Sequence, residues 1–168
     1  MTILETQRFI LRKITLDDAP FVLEILNDPS FIANIGDRNV RTLEDAKNYI
    51  QERMFKSYQD FGFGMWAVVV KSEKIIAGMA GLVKRPTLED IDIGFAFLPA
   101  FFGKGFATEC ALGVRDYAKN KLKMKRLVGI TSPHNTASMN VLKKIGMTYE
   151  KDVEVVPKDI VKLFGMNL

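Results

Sequence analysis

Gly103 and Gly105 stand one residue apart, and Phe106-Ala107-Thr108-Glu109 follows them directly. A glycine turn that runs into a helix offers an anion free backbone N–H groups and the positive end of the helix dipole. Glycine at both positions permits torsions that a bulkier residue resists, and it removes side chains that would block the approach. The spacing points to a cradle for a phosphate-bearing group. An ordinary glycine-rich turn before a helix is the competing reading of the same two residues.

Three phosphate-binding patterns can be compared with it. A P-loop needs Gly, four residues, then Gly-Lys-Ser/Thr; here Lys104 lies between the glycines and Phe106 follows, so no hydroxyl is placed for magnesium. A dinucleotide fingerprint needs a third small residue and a carboxylate about 20 positions on; here Thr108 takes the first place, and Lys123, Lys125 and Arg126 occupy the second region. The third pattern is the pyrophosphate loop of an acyl-CoA enzyme, in which N–H groups from about Phe102 to Thr108 wrap the anion. It needs no metal. One histidine and one cysteine cannot assemble a zinc site.

The neighbouring sequence supplies elements to hold such a loop. Asp90 to Phe97 alternates: Ile91, Ile93, Phe95 and Phe97 share one face of a strand, and Asp90, Asp92, Gly94 and Ala96 the other. The second face is small and acidic, which leaves room for something close to the backbone. After the turn, Ala107, Cys110, Ala111, Val114, Tyr117 and Ala118 recur at helical spacing. Arg126 to Thr131 reads as a short strand, Asn135 opens a further helix, and Gly146 ends it as a C-terminal cap.

Upstream, residues 3–13 read as one strand. A helix follows from the Thr15-Leu16-Asp17-Asp18 start signal, with Phe21, Val22, Ile25 and Leu26 as its stripe, and Asn27-Asp28-Pro29 stops it. Phe31 to Val40 looks irregular and suited to line a substrate site. Thr42-Leu43-Glu44-Asp45 opens a second helix whose mostly apolar face runs to Phe61. Met65–Val70 and Ile75–Val83 are strands around the polar turn Lys71–Lys74, with Gly78 and Gly81 thinning the second. Thr148–Val156 and Asp159–Asn167 are strands separated by Pro157.

Composition narrows the classes. A chain of 168 residues with 48% hydrophobic and 26% charged residues suits a single domain, residues 1–168, with a full core. A formal charge of +4 suits an anionic ligand and is too diffuse to argue for nucleic acid; the Lys119–Arg126 run reads as a solvated helix end. With a single cysteine there is no internal disulfide, and a reducing compartment fits. No apolar run reaches the roughly 20 residues of a membrane span, and the first residues lack a leader pattern. A soluble cytoplasmic protein is expected.

At this point the sequence resembles the GNAT N-acetyltransferase superfamily, closest to its ribosomal-protein alanine and serine N-acetyltransferase branch. The resemblance rests on Leu98-Pro99-Ala100-Phe101-Phe102-Gly103-Lys104-Gly105-Phe106-Ala107-Thr108-Glu109, on Asp92-Ile93-Gly94-Phe95 before it, on Asn135-Thr136-Ala137-Ser138 and Leu142-Lys143-Lys144-Ile145-Gly146-Met147 after it, and on the opening Glu5-Thr6-Gln7-Arg8-Phe9-Ile10-Leu11-Arg12. It implies an α/β fold: a mixed, mostly antiparallel central sheet of about seven strands, two central parallel strands splayed apart, and helices on both faces. It implies acetyl-CoA as co-substrate and an amine as acceptor. The pantetheine arm enters the V-shaped gap and pairs with the backbone at Phe97 and Leu98. Phe102, Gly103, Lys104, Gly105, Phe106, Ala107 and Thr108 hold the pyrophosphate. Two family positions differ: Ala100 replaces a common Gln or Arg, and Leu142 replaces a tyrosine that protonates the leaving thiolate in many members.

Acetyl transfer to an amine needs a neutral amine, a polarised carbonyl and a stabilised sulfur. Asp92 is the candidate base, relaying a proton through water; a solvated or salt-bridged strand carboxylate is its alternative, and Asp90 is a weaker candidate. Ser138 is the candidate hydrogen-bond donor to sulfur; a small helix residue bonding the backbone is its alternative. Asn135 is suited both to cap its helix and to bond the pantetheine arm. Asn140 and Lys143 reach toward adenine or ribose phosphate unless they merely form an exposed helix face. His134 reads as a loop residue, and Cys110, Trp66 and the phenylalanines as core. The enzyme reading competes with a non-catalytic acyl-CoA-binding module of the same fold. The acceptor is shaped by residues 31–40 and 157–160 and is not specified, with a protein N-terminus, polyamine, amino acid or aminoglycoside all compatible. The sequence leaves a homodimer open.

Overall fold

Thr6, Gln7 and Arg8 divide the expected first strand in two. In the computed structural model, which describes all 168 residues, the Thr6 N–H donates to the Phe9 carbonyl (2.9 Å) and the Thr6 hydroxyl accepts from the Phe9 N–H (3.2 Å). This closes a tight turn between β1 (Thr2–Glu5) and an antiparallel β2 (Phe9–Lys13). The side-chain hydroxyl that makes the turn leaves no sign in an otherwise alternating run, so eight strands form where about seven were expected.

Helix α1 (Ala19–Leu26) buries Phe21, Val22, Ile25 and Leu26, the expected stripe. Its start is held by Asp18, which accepts from the Thr15 N–H (2.8 Å) and pairs with both terminal nitrogens of Arg12. Asn27-Asp28-Pro29 stops this helix and starts another. Asp28 accepts from the Ser30 and Phe31 N–H groups as N-cap of α2 (Pro29–Asn34), and Pro29 takes the first helical position, where its missing N–H is harmless. The expected irregular segment therefore begins only after Asn34. Thr42 and Asp45 form a reciprocal capping box for α3 (Leu43–Tyr49), which continues through a π-helical stretch, Ile50–Phe55, into α4 (Lys56–Phe61). The wider turn changes which residues face inward: Ala46, Ile50 and Met54 are buried, and Phe61 is half exposed.

The remaining strands are β3 (Met65–Val70), β4 (Ile76–Val83), β5 (Asp92–Phe97), β6 (Arg126–Thr131), β7 (Thr148–Val156) and β8 (Asp159–Asn167). They form one sheet ordered β1-β2-β3-β4-β5-β6-β8-β7. Every neighbouring pair is antiparallel except β5 and β6. Alternation gives the sheet two apolar faces. Phe9, Leu11, Trp66, Val68, Leu82 and Ile93 pack under α5 (Phe106–Asn120) and α6 (Thr136–Lys144), whose inward residues include Cys110, Ala111, Val114, Leu142 and Ile145. Ala67 and Met79 pack on the opposite face under α1, α2, α3 and the π-helical stretch. No helix is long and apolar enough to cross a membrane.

The parallel pair fixes the shape that follows. β5 and β6 meet at one register point, Asp92 opposite Val128, where the Val128 N–H donates to the Ile91 carbonyl (3.0 Å). No ladder continues beyond it. On its other side β5 stays paired with β4 along its whole length, and a Cβ on Gly78 would lie 2.3 Å from the Ala96 carbonyl oxygen. Glycine there lets β4 hold β5 closely while β6 departs from its free edge.

Candidate functional site

The glycine turn follows β5 at the open end of this V. Leu98 leaves β5, and Pro99–Phe101 make a short 3-10 turn. Gly103 and Gly105 then adopt positive φ of 73° and 76°, and Gly105 stands at the N-cap of α5. Both conformations favour glycine. No atom lies within 4 Å of the space a Gly103 side chain would take, and the whole turn is exposed.

Backbone bonding defines the cradle more narrowly than the sequence does. The Phe102 N–H donates to the Pro99 carbonyl (3.1 Å), so Phe102 is an exposed flank rather than a donor. The next amide to meet a backbone acceptor is that of Glu109, on Gly105 (3.1 Å). Between them the N–H groups of Gly103, Lys104, Gly105, Phe106, Ala107 and Thr108 have no intramolecular acceptor. Three of these are orphan donors of the first helical turn. Six consecutive free amides, with the Lys104 side chain exposed beside them, suit a polyanionic group such as a pyrophosphate.

Leu98 is corrected in the same way. Its N–H donates to the Ala77 carbonyl (2.9 Å) and its carbonyl accepts from Phe101 (2.9 Å), so both groups support the turn. Because antiparallel pairing alternates, a bonded Leu98 directs the Phe97 and Phe95 backbone groups to the other edge, toward β6. The Phe97 backbone therefore borders the gap, while its side chain is buried in the core.

The face of β5 expected to be open is filled. The Met65 sulfur lies 3.1 Å from where a Gly94 Cβ would stand. Asp92, at the vertex of the V, is 1% exposed. Arg85 Nε donates to its Oδ2 at 2.8 Å, and its Oδ1 has no hydrogen-bond partner. Burial pushes the Asp92 carboxyl up to about 6 against the opposing pull of Arg85. The Ile130 N–H on β6 also favours the charged form, without closing a well-formed bond on Oδ1. Asp90 is outside this site, paired at the surface with Arg126 Nε (3.0 Å).

On the opposite wall, Asn135 caps α6 by accepting from the Ser138 N–H (3.1 Å). The Ser138 side chain is half-buried and its hydroxyl makes no bond within the chain. The helix ends as the sequence indicates: Gly146 (φ 105°) donates to Lys143 and Met147 to Leu142. Asn140, Lys143 and His134 are exposed. Cys110 is fully buried and burial raises its thiol pKa, which suits packing and not nucleophilic attack.

Two distant segments close around the same end of the sheet. The Ser132 hydroxyl, just after β6, donates to the Asn34 carbonyl at the end of α2 (2.8 Å). Thr131 pairs with Lys162, which places the 157–160 turn beside the end of β6. Two surface concavities lie elsewhere. One, of about 480 Å³, is lined by Lys13, Phe55 and Tyr58 among others, and one of about 310 Å³ by Arg38, Asp45 and Arg53 among others; neither includes a cradle residue.

Two ion pairs were not visible in the sequence. Arg85 lies seven residues from Asp92 in a hairpin loop, with no periodic relation to it. Glu109 is held by Thr6 and Arg8, more than a hundred residues away. Thr6, Arg8 and Glu109 fall in the motif stretches already singled out, which is the only signal the sequence offers for that pair; nothing in the sequence marks Arg85.

A family model described as an acetyltransferase (GNAT) domain matches residues 8–148. An uncharacterised N-acetyltransferase, YnaD, of Bacillus subtilis strain 168 is 28% identical over 145 residues, covering 86% of this chain and 82% of its own. A GNAT-family acetyltransferase from Bacillus anthracis superposes with a TM-score of 0.82 at 26% identity, over 99% of this chain and 98% of that one. RimL, a ribosomal L7/L12 alpha-N-protein acetyltransferase solved in complex with coenzyme A, superposes with a TM-score of 0.85 at 17% identity, over 100% and 98% of the two chains.

Proposed function

Because the chain belongs to the GNAT acetyltransferase family, we propose that it transfers an acetyl group from acetyl-CoA to a primary amine, a protein N-terminus or a small-molecule amine, by direct attack in a ternary complex. The observation that carries this reading is the run of free amides from Gly103 to Thr108 opening beside the unpaired edge of β5. When bound, acetyl-CoA supplies an acetyl group activated as a thioester.

The chain's own residues then divide the work. Gly103 to Thr108 hold the pyrophosphate through their N–H groups. The Phe97 backbone pairs with the amide-bearing arm along the free edge of β5, and a backbone N–H there polarises the carbonyl. Asn135 lies beside the arm, while Asn140 and Lys143 serve the nucleotide end. Asp92 takes the amine proton through water. An α-amino group has a pKa of about 7.7–8.0 and an alkylammonium one near 10.4, so a base held at about 6 is better matched to the former. Ser138 donates a hydrogen bond to the departing sulfur, the role for which Leu142, buried in the core, has no chemistry.

The test is calorimetry with acetyl-CoA followed by a panel of amines read by release of free CoA. Binding with turnover on at least one amine is expected. Absence of acetyl-CoA binding overturns the reading, and binding without turnover on any amine would make the chain an acyl-CoA-binding module.

A further inference from the structure

Glu109 presents a contradiction at the cradle. It lies in the first turn of α5, where a carboxylate stabilises the helix dipole. The same negative charge competes with any anion that approaches those amides. The structure shows how it is contained. Glu109 Oε1 accepts from the Thr6 hydroxyl (2.7 Å) and the Arg8 backbone N–H (2.8 Å), and Oε2 takes Arg8 Nε and Nη2, both at 2.6 Å. Burial alone would raise its pKa; the bonds from the Arg8 N–H, Thr6 and the Arg8 guanidinium outweigh it and hold the carboxyl below its ordinary range. The group is therefore charged at neutral pH, with Arg8 as its one cationic partner.

Arg8 also reaches the loop itself. Its Nη1 lies 3.4 Å from the Lys104 carbonyl oxygen, a long contact that nevertheless faces this carbonyl to the Arg8 side. Its guanidinium carbon stands 4.6 Å from the Phe106 ring centroid, and Nη2 is 3.9 Å from where a Gly105 Cβ would be. One planar fork thus touches the carboxylate, the carbonyl between the two glycines and the first residue of the helix. A lysine has a single point charge and cannot make these contacts together.

We infer that Arg8 is a positioning residue for the anion cradle: it neutralises Glu109 behind the amides and keeps the Lys104 carbonyl turned away from the ligand side. It rests on the acetyl-CoA reading of the loop but not on the identity of the amine, base or acid. It gives a role to the opening Thr6-Gln7-Arg8 stretch and to Glu109, which the transfer chemistry leaves unused.

The experiment is calorimetric titration of the full chain with CoA at low and high salt, in wild type, R8A, E109Q, R8A/E109Q and R8K, with circular dichroism as a fold control. R8A is expected to weaken CoA binding about tenfold, between the modest worth of a half-exposed ion pair and the penalty of a carboxylate left unpaired at an interface. The deficit narrows at high salt. R8A/E109Q recovers most of the loss, which a role confined to packing would not allow, since the double variant has lost more contacts. E109Q alone binds as well as wild type. R8K, the variant to read if R8A does not fold, binds severalfold more weakly because it loses the fork. Equal affinity of R8A or R8K and wild type overturns the inference, as does a double variant no better than R8A. Failure of the wild type to bind CoA instead overturns the reading of the loop itself.

Discussion

The two arginine–carboxylate pairs at the ends of the V have the same chemistry and opposite consequences. At the mouth, Glu109 collects bonds from Thr6, the Arg8 backbone and the Arg8 guanidinium, and its pKa falls. At the vertex, Asp92 has one well-formed bond, from Arg85 Nε, with the Ile130 N–H as a weaker aid, and its pKa rises to about 6. Burial opposes charge at both sites. Depth of burial and the number of hydrogen bonds to the charged form together decide which sign wins: Asp92 is fully buried with few bonds, whereas Glu109 keeps some exposure and has many. A heavily bonded carboxylate is locked in one ionisation state and suits structure; a sparsely bonded, buried one titrates near neutrality and suits proton transfer.

The largest expected effect tests that division directly. Asp92→Asn removes the titrating group while keeping its shape, and kcat should fall by about a hundredfold or more, the scale of a lost general base. Acetyl-CoA affinity should change little, because the cradle is at the other end of the gap. A kcat within twofold of wild type would assign Asp92 to structure alone.

The pH dependence of stability separates the two pairs with opposite signs. Asp92 has a raised folded pKa, from 3.8 toward about 6, so the folded state binds more protons than the unfolded chain between those values. Stability from this group falls as pH rises through that window, by roughly 3 kcal/mol at about 1.4 kcal/mol per unit. Glu109 has a lowered folded pKa, so its contribution is present above the unfolded value and is lost as pH falls through the folded one. Denaturant unfolding from about pH 3 to 7, which spans both titrations, should show Asp92→Asn gaining on wild type as pH rises. Glu109→Gln should do the reverse, with a deficit of about 1 kcal/mol at neutral pH. Parallel curves for the two variants would remove the distinction.

The smallest stability effect is expected at the glycines of the mouth. Gly105→Ala forces a side chain into φ 76°, a conformation that costs a non-glycine residue about 1 kcal/mol. Thermal unfolding should show that modest loss, and calorimetry a larger loss of acetyl-CoA affinity because the amides no longer converge. Unchanged affinity would mean that the turn's shape is irrelevant to binding.

The two helix layers differ in how much of them the sequence reveals. The α5 and α6 side is legible. Its apolar residues recur at helical spacing, Asn135 caps one end and Gly146 closes the other, and each signal is contained within a turn or two of chain. The α1 to α4 side is less so. Asp28 and Pro29 carry both a stop and a start, and the π-helical stretch at Ile50–Phe55 shifts the periodicity that placed Phe61 on the buried face. At the candidate site, the two turn glycines and the helix that follows them are legible in the sequence. The amides of Phe102 and Leu98 are spent on Pro99 and Ala77, bonds that no residue-type pattern announces.

The sequence by itself determined what is local: the turn glycines, the helix caps, the alternation of β5 and the family motifs that surround them. These depend on torsions and on hydrogen bonds spanning a few residues. Tertiary structure decided what depends on distant chain meeting in space. It divided β5 from β6 after Asp92, set Arg85 against one oxygen of that carboxylate, brought Arg8 to Glu109 across 101 positions, and tied Ser132 to Asn34 across 98. The reason is physical: a residue's type fixes which bonds it can make, but its burial and its partners fix its charge, and both come only with the assembled sheet.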